Sequence, residues 1–193
     1  MPDQKRIFII HGWGGNPREP WLSWLAKSLG EAGFLAESLE IPDTDNPKIE
    51  AWVPHLQKRV GLCDKNTFFV GHSIGCQAIM RYLEKLPAEE RAGGVVLVAP
   101  WLILSNIEGQ EDRMISSPWI NTPIDFEKVK NNAKKIVCIF SDDDPYVPIE
   151  NADAFSEKLA AEIILKKGKG HFSPEDGVNE LPVVLEKITE FQS

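Results

Sequence analysis

The apolar run Thr67-Phe68-Phe69-Val70 ends directly in Gly71-His72-Ser73-Ile74-Gly75, and helix-spaced residues follow at once. The β-branched and aromatic run reads as a strand, whereas Ile74, Ala78, Ile79, Tyr82, Leu83 and Leu86 recur at helical spacing until Pro87 stops them. The chain must therefore pass from strand to helix within a few residues. A turn that tight brings the two elements so close that a Cβ at Gly71 or Gly75 would strike its neighbour. It also holds the Ser73 hydroxyl clear of the backbone, which makes this serine a candidate nucleophile. The pattern alone is weak, because a random chain of this length carries G-x-S-x-G in roughly 5–10% of cases. The rest of the chain has to supply the context.

Six segments read as strands: 5–10, 34–41, 67–70, 94–99, 135–140 and 161–166. Several are nearly continuous apolar runs, as expected of parallel strands covered on both faces. Between them lie amphipathic stripes. Trp21, Trp24, Leu25, Leu29 and Ala32 form one, and Ile49, Trp52, Val53, Leu56 and Val60 form a second in which Pro54 predicts a kink or a late start. Val178, Leu181, Val184, Leu185, Ile188 and Phe191 form another near the end. Strands alternating with helices predict an α/β fold, a compact three-layer sandwich around about six mainly parallel strands. A length of 193 residues predicts a single domain over 1–193. The irregular stretch 101–124, with Pro118, Trp119 and Pro123 around a charged middle, reads as a short lid.

A serine hydroxyl needs a base, and the base needs an orienting group. Of the four histidines, His11 and His72 sit at strand ends within glycine-containing turns and read as structural, and His55 lies on the polar side of a helix. His171 differs, falling in Gly168-Lys169-Gly170-His171-Phe172 just after the last strand, and is the candidate base. The acid is expected after the preceding strand, because loops at the carboxyl ends of parallel strands share one crevice. There the chain reads Ser141-Asp142-Asp143-Asp144-Pro145, and Asp144 is the candidate, with Asp143 as the alternative. Ser73, then an aspartate of this loop, then His171 is the chain order that α/β-hydrolases use.

Amides that could hold an oxyanion are expected at Ile74 and in His11-Gly12-Trp13-Gly14-Gly15, where Trp13 is the candidate and Gly12 the alternative. The glycines of that turn match neither a Walker loop nor a dinucleotide fingerprint, so no cofactor is expected. Trp101, Trp119 and Tyr146 are candidates to line an apolar acyl pocket. Cys63, Cys76 and Cys138 are too widely spaced for a metal site and read as buried thiols. A net charge of −8 argues against nucleic acid and anionic membrane as partners. The start of the chain lacks the apolar core of a secretion signal, and a cytoplasmic location is expected.

These residues resemble the family of small serine hydrolases that contains retinoblastoma-binding protein 9 and its bacterial relatives. The likeness rests on the glycine-rich first turn, Trp52-Val53-Pro54, Gly71-His72-Ser73-Ile74-Gly75, Met80-Arg81-Tyr82, Asp143-Asp144-Pro145-Tyr146-Val147-Pro148 and Gly170-His171-Phe172. It implies an α/β-hydrolase fold lacking the first two strands of larger members, with Ser73, Asp144 and His171 as the reacting set; a small-molecule acyl substrate is expected. Retinoblastoma-protein binding is not expected, because the L-x-C-x-E element is replaced by Gly61-Leu62-Cys63-Asp64-Lys65. A catalytically idle scaffold on the same fold is the alternative.

Overall fold

The computed structural model describes residues 4–191. Met1–Asp3, on which part of the expectation about the chain's start rests, and residues 192–193 lie outside the described range.

Among the described residues six parallel strands form one sheet: β1 (Arg6–Ile10), β2 (Leu35–Ser38), β3 (Thr67–His72), β4 (Gly94–Val98), β5 (Ile136–Ser141) and β6 (Glu162–Lys166). Their order is β2-β1-β3-β4-β5-β6. The central strands β3, β4 and β5 are buried along their whole length, which is why their sequences are unbroken apolar runs. Edge strands β2 and β6 are half exposed, and β2 is the shortest, so 34–41 contracts at both ends.

Among the described residues there are seven helices, six between the strands and one after the last: α1 (Pro20–Glu31), α2 (Ile49–Val60), α3 (Ile74–Leu83), α4 (Gln110–Asn121), α5 (Phe126–Asn131), α6 (Glu150–Leu159) and α7 (Pro182–Glu190). Pro20 and Pro182 stand at the first turn of their helices, where a missing N–H costs nothing. Helices α1 and α7 pack together in one layer; α2 on α3, α3 on α5 and α5 on α6 make the other. The three-layer α/β sandwich is thus as the sequence predicts. Helix α2 begins at Ile49 and runs through Pro54, so the proline does not delay its start.

The stretch 101–124 is not irregular throughout. Turns to Gly109 lead into α4, whose apolar anchor Trp119 is buried, packs against Trp52 and donates its indole N–H to the Pro47 carbonyl at 2.9 Å. The buried guanidinium of Arg81 holds the end of α4 by donating to the carbonyls of Trp119 and Thr122, both at 2.8 Å. Positive charge at a helix C-terminus complements the exposed carbonyls there.

Candidate active site

Ser73 occupies the junction of β3 and α3 with φ 51° and ψ −119°, a left-handed conformation that a residue with a Cβ seldom adopts. The backbone is held there from both sides. Its N–H donates to the Val98 carbonyl at 2.9 Å, and a Cβ on Gly75 would lie 2.6 Å from the Ile10 carbonyl oxygen and 2.7 Å from that of His11. Gly71 is equally tight, with Ile79 Cδ1 at 2.7 Å and Cys76 N at 2.9 Å from such a Cβ. These contacts are the steric reason for both glycines.

Three side chains from three different loops meet. His171 Nε2 lies 2.9 Å from Ser73 Oγ, and His171 Nδ1 lies 2.8 Å from Asp144 Oδ2. The Asp144 carboxylate is buried, 2% exposed, and its other oxygen accepts the N–H groups of Tyr146 and Val147 at 2.9 and 3.0 Å. Asp143 points elsewhere. One of its oxygens accepts from Ser141 Oγ at 2.7 Å and from Gly170 N at 2.8 Å, and these bonds hold its carboxyl below the usual carboxylate range. Asp142 accepts from Gly168 N and Ser141 Oγ from Lys169 N, both at 2.9 Å. The crowded aspartates are therefore shared out: two fasten the histidine loop to the end of β5, and the third faces the imidazole.

Two further residues position His171. His72 Nε2 donates to the His171 carbonyl at 2.7 Å, and Asp176 Oδ2 accepts from the N–H groups of His171 and Ser173 at 2.8 and 3.0 Å. An aspartate three residues beyond Ser173 was the available signal for the second. The structural part that the sequence indicates for His72 is this bond to the His171 carbonyl.

Ile74 opens α3, so its amide has no acceptor within the helix, and the Trp13 amide makes no hydrogen bond among the described residues. The Gly12 carbonyl is engaged by Gly15 N and His11 Nδ1, which brings the turn back on itself. Ser73, Ile74, Trp13, Trp101, Tyr146 and His171 all line one cleft of about 610 Å³. Trp119 does not. The expectation that it lines the pocket is corrected, because its ring is spent in the core between Trp52 and Arg81.

Electrostatically the cleft is lopsided. Glu19, Asp112 and Glu175 line it, and no lysine or arginine does. Burial, with Glu175 nearby, raises the Glu19 carboxyl against the lowering effect of the Asn16 N–H bond. Burial, reinforced by His171, drives His72 down to about 3, so its ring is neutral at ordinary pH. The three cysteines are buried and unoxidised, with burial pushing Cys63 up to about 12.

A serine, an imidazole and a buried carboxylate in series at the carboxyl end of a parallel sheet form an arrangement that can withdraw a hydroxyl proton, on an α/β-hydrolase fold. The profile of the family described as Serine hydrolase matches residues 7–190, and the chain belongs to that family. It is similar to the YdeN protein of Bacillus subtilis, 29% identical over 189 residues covering 98% of this chain and 97% of YdeN. It is also similar to the serine hydrolase RBBP9 of Rattus norvegicus, 27% identical over 192 residues covering 98% of each. The crystal structure of the B. subtilis ydeN gene product superposes with a TM-score of 0.86 over 97% of this chain and 98% of that one, at 28% identity. The protein is a serine hydrolase.

Proposed function

We propose that the protein hydrolyses a carboxylic ester, thioester or activated amide of a small molecule through an acyl-enzyme on Ser73. The observation that carries this reading is the pair of contacts at His171, 2.9 Å to Ser73 Oγ and 2.8 Å to Asp144 Oδ2. His171 accepts the serine proton as Oγ attacks the carbonyl carbon, then returns it to the leaving oxygen, sulfur or nitrogen. Asp144 fixes the tautomer with the proton on Nδ1 and stabilises the imidazolium. The amides of Ile74 and Trp13 receive the negative oxygen of the tetrahedral intermediate. Water then repeats the cycle on the acyl-enzyme.

Trp13, Trp101 and Tyr146 would contact an apolar acyl group, and the carboxylates around the cleft would disfavour an anionic one. The chain works as one domain in which the segment carrying Leu104, Asn106, Ile107 and Asp112 covers the site. Three buried free thiols fit a reducing compartment, which supports a cytoplasmic location. Among the described residues no helix is long and apolar enough to cross a membrane.

The test is labelling with a fluorophosphonate probe beside turnover of p-nitrophenyl butyrate. Wild type is expected to label and to turn over, and Ser73→Ala to do neither. Folded wild type that stays unlabelled, or Ser73→Ala protein that still cleaves the ester at the wild-type rate, sinks the proposal.

A further inference from the structure

A second hollow, of about 750 Å³, lies between α4 and the start of α2. Half of its lining is apolar, Pro47, Ile49, Met114, Ile115 and Pro118, and the other half is polar, with Lys48, Glu50 and Glu111 among it. Met114 is 68% exposed, although burying its side chain would be favourable. Nothing in the proposed reaction uses this groove.

The groove and the cleft have no lining residue in common, but they adjoin across the same two elements. On α4, Asp112 faces the cleft and Ile115 the groove; three residues apart, they are neighbours on the helix surface. The opposite wall is the segment from Thr44 to Pro47, which is tied to the cleft by Gly14 N donating to Thr44 O at 2.8 Å and Trp13 Nε1 donating to Asp45 O at 3.0 Å. Its next residues, Asn46 and Pro47, already line the groove. Trp119 pins Pro47 from the other side.

Sheet order decides which part of a substrate runs that way. The strands order as β2-β1-β3-β4-β5-β6, so the loops after β1 and β2 lie on one side of Ser73, and those after β5 and β6, with Asp144 and His171, on the other. A leaving group has to sit against the imidazole that protonates it. The acyl part then extends toward Trp13 and the groove.

We infer that the groove is the distal acyl subsite of the enzyme, taking the tail of an unbranched medium-to-long acyl chain whose carbonyl is held at Ser73. The inference rests on the esterase reading above and adds the substrate class to it. Burial of each further methylene raises kcat/KM roughly fourfold until the groove is filled.

The experiment compares p-nitrophenyl butyrate, octanoate and decanoate, all below their micelle concentrations. In wild type, kcat/KM is expected to rise along the series. Met114→Glu, which places a charge on the groove wall, lowers the decanoate-to-butyrate ratio at least tenfold, and Met114→Leu preserves it. Ile120→Glu, on an exposed part of α4 outside the groove, leaves the ratio at the wild-type value. The inference is overturned by a wild-type ratio below one, by a ratio indifferent to Met114→Glu, or by Ile120→Glu lowering it as much. Butyrate turnover reports on the catalytic reading separately. If no ester is turned over, calorimetry with ethyl butyrate and ethyl decanoate decides: tighter decanoate binding that Met114→Glu abolishes upholds the groove, and equal binding overturns it.

Discussion

His72 donates its Nε2 proton to the backbone carbonyl of His171 at 2.7 Å, so the residue beside Ser73 holds the main chain of the residue facing Ser73. With the proton on Nε2, Nδ1 is a bare acceptor. It is buried without a hydrogen-bond partner, and a Cβ on Gly12 would stand 3.1 Å from it. The His171 backbone is thus fixed at its carbonyl by His72 and at its amide by Asp176, while its ring is fixed by Asp144.

Loss of the His72 contact is expected to loosen the proposed base, His171, rather than the substrate. One neutral hydrogen bond contributes about 1 kcal/mol, enough for a rate change of about fivefold to tenfold if it is felt in the transition state. His72→Phe should lower kcat by that order with KM nearly constant, and His72→Gln, which keeps a donor, should recover part of it. Steady-state kinetics on a short p-nitrophenyl ester is the check. A change confined to KM would show that His72 acts on the pocket instead.

The same histidine makes stability depend on pH. Burial holds His72 at about 3 in the folded protein, against 6.5 for a free imidazole, and lowers His11 as well. Below about 6.5 the unfolded chain takes up protons that the native state refuses, so the stability present above that value is lost as pH falls toward about 3. The slope is at most about 1.4 kcal/mol per pH unit for each histidine. Urea unfolding midpoints measured from neutral to about pH 4 should fall accordingly, and more shallowly in His72→Gln. Parallel profiles for the two proteins would refute the assignment to His72.

Much of this architecture is legible in the sequence because steric and solvation demands act locally. The buried strands leave unbroken apolar runs, and the tight approach at Gly71 and Gly75 excludes any side chain. Helix α4 is less legible: its first turn, Gln110 to Arg113, is polar, and it is held by partners far along the chain, Arg81 at its end and Pro47 against Trp119. For the same reason Trp119 could not be told from a cleft aromatic. Both burial sites suit an indole, and only the path of the chain between residues 101 and 119 separates them. Asp143 and Asp144 posed the opposite problem, since adjacent carboxylates look alike until the turn directs one at Gly170 and the other at His171.

That division of labour predicts different defects. Asp144→Asn removes the charge facing His171 Nδ1 and favours the wrong tautomer, so kcat should drop by about four orders of magnitude while the fold persists. Asp143→Asn keeps an oxygen that can accept from Ser141 and Gly170, and should cost no more than about tenfold. Kinetics with circular dichroism as a folding control separates the two. Equal losses would mean that the aspartates share the role.

Ser73 itself should show a conflict between stability and activity. A side chain at φ 51° and ψ −119° carries backbone strain of about 1–3 kcal/mol, whereas glycine adopts such angles freely at an entropic cost of about 0.5–1 kcal/mol. Ser73→Gly should therefore gain about 1 kcal/mol, a rise of about 2–4 °C in Tm for a domain of this size. Ser73→Ala is the right reference. Both variants lose the hydroxyl and its contact with His171, and both are expected to be inactive, so their difference isolates the Cβ. Calorimetric melting of the two proteins side by side is the measurement. A Tm for Ser73→Gly at or below that of Ser73→Ala would mean that the turn stores no strain at this residue, and that the contacts of Gly71 and Gly75 alone hold the serine in place.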